Sequence, residues 1–374
     1  MSKTLMFGAL LGTMVLNLNC VARQRASDVE TTSVVHSAVK MQAIGNCWVY
    51  AMASWAEGLH KSATGEEVDI SESYWTYWHW YDQITNRFLH MPTIDTAGSW
   101  TLGEYLVDQR GFMYEHEFVV ADAGKPMSTV QGEAEEMVNA ALGPGGELET
   151  KESRTPENAI RLLDKAFHVD MNEAKTRAHK LSEFLLGVKD QTPFTLQQAM
   201  FSGDLKWDGI GYPTVKTTAT PEIQAKRKAL LERIFRALND HQPVVMQVFV
   251  DFNALDPADG TFKISTLQAA GGPGRQGVHM VVLEDYVVDN VTAPDGSIVS
   301  VGEGEVADDL KERAIKGNLR YFVAKNSWGT NRPDRGLTDG RTRFHVDYLD
   351  QPILRKKQNE FASSAGYFVL PPGY

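Results

Sequence analysis

Three short stretches hold residue types that could do nucleophilic chemistry. In GNCWVYAMASW (45–55) a thiol, Cys47, opens an almost wholly apolar run. Two readings of Cys47 stand side by side, a small hydrophobe at the start of a buried helix or a nucleophile. A thiol at a helix N-terminus feels the positive end of the helix dipole, which favours the nucleophilic thiolate. Such a thiolate needs an imidazole to hold its proton and deliver it to a leaving group. His279 stands in the strand-like run QGVHMVV (276–282), directly after a Gly-rich loop, and could equally be a satisfied core histidine. A third group should orient the ring. KNSWG (325–329) offers the amide of Asn326, with the Trp328 indole two residues on to shield that bond from water. An oxyanion would need donors, and the backbone N–H of Cys47 and the side-chain amide of Gln42 are the candidates.

These residues need elements to position them. From Cys47 to about Leu59 no proline interrupts an all-round apolar pattern, which predicts a buried helix with Asn46 as its N-cap. A second helix opens around Ser71, crowded with aromatics. A third runs through GSWTLGEYLVDQRGF (98–112) and ends at Gly111. Residues 121–240 are charged and helical in texture, with Thr-Pro starts at Thr155-Pro156, Thr192-Pro193 and Thr220-Pro221. After His241 the texture turns to strands: QPVVMQVFV, GVHMVVLEDYVV, SIVSV after a Pro-Asp-Gly turn, and LRYFVAK. The order predicts an α+β protein of two lobes with a cleft between them. The division read from it is an export signal at 1–22, an arm at 23–39, a helical lobe carrying the nucleophile at 40–120, a helical insertion at 121–240, and a β-rich lobe with the histidine and asparagine at 241–374.

Composition narrows the function classes. The 374 residues are 43% hydrophobic and 23% charged, enough for a sizeable core, with a formal net charge of −11. An acidic chain without a basic run is a poor partner for a phosphate backbone, so nucleic acid is set aside. Lys3 followed by the apolar Leu5–Leu18 segment reads as an export signal, too short to span a bilayer. Two fates stay open, cleavage after Ala22 or lipidation of Cys20 as an anchor. Either leaves Cys47 without a disulfide partner, because the chain has only two cysteines. No His or Cys cluster has metal spacing, and no cofactor is implied. DFNALDPADG (251–260) lacks the glycine of a calcium loop and reads as a turn.

Taken in order, the Gln42, Cys47-Trp48, GVHMVV and KNSWG motifs resemble the signature of the papain-like cysteine peptidases. AGSWTLGEYLVDQRGF resembles the family's Gly-Gly segment with its following helix, and GLTDGRTRFHVDYLD and GYFVLPPGY resemble its closing strands. EEVDISESYWTYWHWYDQI and KNSWGTNRPDRG are most similar to the bleomycin hydrolase and aminopeptidase C branch. The resemblance spans about residues 40–118 and 241–374. It implies a papain-like two-lobed fold with a helical insertion, Cys47 as nucleophile, His279 as general base and acid, Asn326 as its orienting group, Gln42 as oxyanion donor, and Gly98 pairing with substrate backbone. The expected activity is peptide-bond hydrolysis on a peptide or protein substrate. An aminopeptidase, or an exported binding protein without turnover, are the alternatives. Three departures stand out: Gln42 lies one residue nearer the cysteine than is usual, Ala97 replaces the first Gly of the pair, and about 25 extra residues separate His279 from Asn326, beside the expected site.

Overall fold

The computed structural model describes residues 37–86, 91–118, 125–304 and 307–374. The expected export signal, Cys20 and most of the arm lie outside the described residues. Six helices matter here: α1 (Cys47–Thr64), α2 (Glu72–Thr85), α3 (Trp100–Arg110), α4 (Met127–Leu142), α5 (Pro156–Phe167) and α6 (Pro221–Asn239). The main sheet has β1 (Asp208–Gly211), β2 (Val244–Asp251), β3 (Leu255–Asp256), β4 (Thr261–Phe262), β5 (Gln276–Thr292), β6 (Ile298–Val301), β7 (Asn318–Lys325), β8 (Arg341–His345) and β9 (Ala365–Leu370). The strands lie in the order β1-β9-β2-β5-β7-β8-β4-β3, with β6 paired to β5. Every pair is antiparallel except β8 with β4.

Local signals set the helix ends. Ser71 accepts from the Tyr74 N–H at the head of α2, Ser99 caps α3, and Gly111 closes it with φ 69°. Thr155 and Thr220 cap α5 and α6, each with Pro at the first position. Thr192-Pro193 is the exception to the expected starts. The chain makes a short strand at Phe194–Thr195, and a helix begins at Leu196, where Thr195 and Gln198 form a capping box. Asn46 also departs from expectation. Its side chain makes no cap and donates instead to Thr76 Oγ1 (3.0 Å) and Gln131 Oε1 (3.1 Å), tying α1 to α2 and α4.

Two cores divide the molecule. One is helical, built on Trp48, Trp55, Trp75 and Trp80, and runs from Ile44 to Trp207. The other is sheet-based and runs from Tyr212 to Leu370. The stretch 121–240, expected as one helical insertion, is therefore split. Helices α4 and α5 share the core of α1–α3, while β1 and α6 belong to the sheet lobe. Alternation along the strands joins the lobes: Val245, Met280, Val282 and Val369 face the helical core, while Val244, Met246, Val281 and Leu283 face the sheet core. Helix α1 lies on this junction with all of Cys47–His60 buried. That explains its lack of a polar face.

Candidate active site

The junction sets Cys47 and His279 against one cleft of about 560 Å³, whose wall also includes Gln42, Gly45, Phe252 and Trp328. Cys47 is the first residue of α1. His279 lies near the start of β5, paired with Val248 of β2. Asn326 directly follows β7, the neighbouring strand. The segments before Cys47 and after Asn326 are stitched together: the Gln42 N–H donates to Ser327 O (2.8 Å) and the Gly329 N–H to Lys40 O (3.1 Å). The thiol and the amide thus come from different lobes but are held by one backbone ladder.

The imidazole is fixed on two sides. His279 Nε2 lies 2.8 Å from Asn326 Oδ1. The amide orientation is itself set, since Asn326 Nδ2 donates to Thr342 Oγ1 (2.8 Å) and Oδ1 also accepts from the Ser327 N–H (2.8 Å). An amide oxygen only accepts, so Nε2 carries the ring proton and Nδ1 keeps its lone pair. The Trp328 indole stacks on the ring at 4.9 Å and 21°. All three residues are buried.

Burial dominates the electrostatics. It pushes the Cys47 thiol up to about 11, although the backbone N–H groups of Met280, Trp48 and Cys47 itself offset part of that rise. It pushes His279 down to about 4. The bond to Asn326 acts the other way, and the charge of Arg335 adds to the depression. Burial thus disfavours the charged form of each group taken alone. At 8% exposure, this desolvation opposes the preference for the thiolate that the helix N-terminus gives Cys47.

Gln42 lines the same cleft, but its amide is partly engaged. Nε2 donates to Ile44 O at 2.7 Å and Oε1 accepts from Ser327 Oγ, which leaves one Nε2 hydrogen free. Gly98 lies against Trp48 of α1. A Cβ there would fall 2.3 Å from the indole, so no larger residue fits, and among the described residues its backbone has no hydrogen-bond partner. The extra residues between His279 and Asn326 lie elsewhere. Strand β5 carries them to Thr292, roughly 40 Å along the strand from His279. There they pack beside α6 through Asn239 Nδ2 to Lys311 O, and no described residue of theirs lines the cleft.

No protein-family model matches the sequence, and no curated protein matches it. Solved structures do. The chain is similar to PepW of Lactobacillus rhamnosis HN001, with a TM-score of 0.51 and 13% identity over 91% of this chain and 81% of that one. It is also similar to xylellain, a cysteine protease from Xylella fastidiosa, with a TM-score of 0.40 and 12% identity over 93% and 90%.

The fold is papain-like. Several residues at the cleft carry no local sequence signal. Thr342 holds the Asn326 amide from β8. Arg275, Arg332 and Arg335 bring three guanidiniums to the cleft wall. Threonines and arginines are common, and nothing local marks these; only the sheet order shows where they meet. Among the described residues no group of three His, Cys, Asp or Glu side chains could hold a metal, and no helix is long and apolar enough to cross a membrane.

Proposed function

We propose that this protein is a cysteine-type peptidase that works through an acyl-thioester on Cys47. The observation that carries the reading is the His279 ring, held by Asn326 and Trp328 in the tautomer that leaves Nδ1 as a base, in the same cleft as the Cys47 thiol. As Sγ attacks the scissile carbonyl, its proton passes to Nδ1 and an S–C bond forms. The carbonyl oxygen becomes an oxyanion, which the Cys47 N–H and the free Gln42 Nε2 hydrogen receive. The His279 imidazolium then gives its proton to the leaving amine and the C–N bond breaks. Water, deprotonated by His279, attacks the thioester and releases the acid and the thiol. Gly98 pairs its free backbone groups with the acyl half of the peptide.

The first 22 residues support an exported enzyme, with Cys20 lipidated or removed; N-terminal sequencing and mass analysis of the exported protein decide between these. The test of the enzyme is labelling by an epoxide thiol-protease inhibitor, together with cleavage of a mixed peptide pool, in wild type and Cys47→Ala. Labelling and cleavage that both vanish in Cys47→Ala support the reading. A wild type that neither labels nor cleaves any peptide overturns it. Parallel digestion of N-blocked and free peptides separates endopeptidase from aminopeptidase action.

A further inference from the structure

We propose that the cleft beyond His279 binds a carboxylate on the part of the peptide C-terminal to the scissile bond, with Arg275 as its main contact. The inference rests on the peptidase reading for its direction. His279 delivers a proton to the leaving amine, so groups packed outward from the imidazole face the segment released with that amine. Their order is given by contact. Trp328 stacks on His279, Phe252 lies 5.6 Å from Trp328, the Arg335 guanidinium sits 4.3 Å above the Trp328 ring, and the Arg275 guanidinium sits 4.4 Å above Phe252.

The three arginines of this wall are not equivalent. Arg332 is already engaged in a fork with Asp334, at 2.9 and 2.7 Å. Arg335 is pinned between two aromatic rings, with Asp334 at 3.8 Å. Arg275 is exposed and, among the described residues, has no carboxylate partner. Among the described residues no Asp or Glu lines the cleft, although the whole chain carries a net charge of −11. A free guanidinium in such a wall favours a bidentate carboxylate over a substrate ammonium.

The loop that presents Arg275 is built rather than loose. Asp251, fully buried, accepts from the Gly274 N–H (2.9 Å), the Asn253 N–H (2.9 Å) and Gln276 Nε2 (2.7 Å), so one carboxylate holds the residues on both sides of Arg275. The Phe252 N–H donates to Arg275 O (2.9 Å), and Asn253 Nδ2 to Gly272 O (2.9 Å). A Cβ on Gly274 would fall 2.3 Å from Asn253 Oδ1, so close packing of this loop requires glycine there. Presenting the guanidinium from a fixed loop lowers the entropy lost on binding.

Two peptide carboxylates share this chemistry, an Asp or Glu side chain and a free C-terminus. The experiment uses the full chain with Cys47→Ala, which cannot turn over, and fluorescence anisotropy of labelled peptides. One series is C-terminally amidated and varies Glu against Gln after the central bond. The other is neutral in sequence and compares free acid with amide. The expected result is about tenfold or tighter binding of the carboxylate form in at least one series, weakening with salt. The series that shows it identifies the source. In Cys47→Ala/Arg275→Gln the ratio should collapse toward one, and Arg275→Lys should restore part of it, with melting curves showing that each variant is folded. Equal binding of acid and neutral peptides in both series overturns the inference. If the carboxylate preference is present but wild type cleaves nothing, the peptidase reading fails and the carboxylate site stands.

Discussion

Two polar clusters sit at the same lobe junction, and they differ in the partners they offer a buried charge. In the first, Lys40 Nζ reaches Asp69 (2.5 Å), Glu72 (2.8 Å), Glu57 (3.4 Å) and Ile70 O (3.1 Å). Lys325 donates to Ser37 O (2.8 Å) and Oγ (3.0 Å), Ser37 Oγ donates to Glu57, and the Ile70 N–H donates to Glu57 Oε1 (2.7 Å). Burial works against the Lys40 charge, but Glu72, Glu57 and Asp69 together outweigh it and hold the ammonium well above its usual range. In the second cluster no described Asp or Glu lines the cleft of Cys47 and His279, and burial disfavours the charged form of each. The first cluster keeps the Lys40 ammonium charged among its carboxylates, although burial pushes one of them, Glu72, up to about 8. The second leaves a thiol and an imidazole lone pair unspent, available to a substrate. Helix α1 carries both, with Cys47 at its head and Glu57 ten residues on.

The contrast breaks most sharply under two substitutions. Cys47→Ala is expected to lower peptide turnover by about 10⁴-fold or more while barely moving the denaturation midpoint, since a small side chain replaces a small one. Lys40→Met should do the reverse. It leaves Glu57 and Glu72 buried beside a lost partner and should cost about 3–5 kcal/mol in denaturant unfolding. Equal stability losses in the two variants would erase the distinction between the clusters.

Asn326→Ala should give a middle effect. The ring loses the acceptor that sets its tautomer, worth about 1–3 kcal/mol of barrier, or roughly 5- to 150-fold in kcat. Thr342→Val removes only the bond that orients the amide, so a smaller loss in kcat with KM unchanged is expected. Steady-state kinetics on one peptide would settle both, and a Thr342→Val loss exceeding that of Asn326→Ala would refute the relay.

What the sequence made legible follows how local each signal is. Capped helices at Ser71, Ser99, Thr155 and Thr220 are written within a few residues. The β-branched runs of β2, β5 and β7 are equally local, and the α+β class follows from their order. Cys47, His279, Asn326 and Trp328 stand out because an unusual residue type interrupts an expected pattern. Thr342, Asp251 and Lys40 do not. Their roles depend on partners distant in the chain, and only the sheet order and the chain's return past Lys40 bring them together. The division near residue 208 was hidden for a related reason. Helix α6 has the same charged, amphipathic texture as α5, and nothing in that texture says which core its buried face meets.

The smallest expected effect tests the charge state of the pair itself. With His279 depressed to about 4, the acid limb of kcat/KM should fall near pH 4, because only the unprotonated ring accepts the thiol proton. With the thiol raised to about 11, iodoacetamide alkylation of Cys47 should be slow at pH 6–7 and climb only above pH 9. The linkage to stability has a definite sign for each group. The folded His279 prefers to be neutral, so its contribution is present above its unfolded value of 6.5 and is lost as pH falls toward 4. The folded thiol has a raised pKa, so its contribution holds below 9 and is lost as pH rises toward 11. Arg335→Leu provides the finer measurement. Its charge lowers His279 through the Trp328 stack, so removing it should move the acid limb upward by less than about one pH unit. Fast alkylation already at pH 6 would mean that the pair rests as thiolate and imidazolium. The helix terminus would then have overcome burial at Cys47, and the difference between the two clusters would shrink to one of partners rather than of charge.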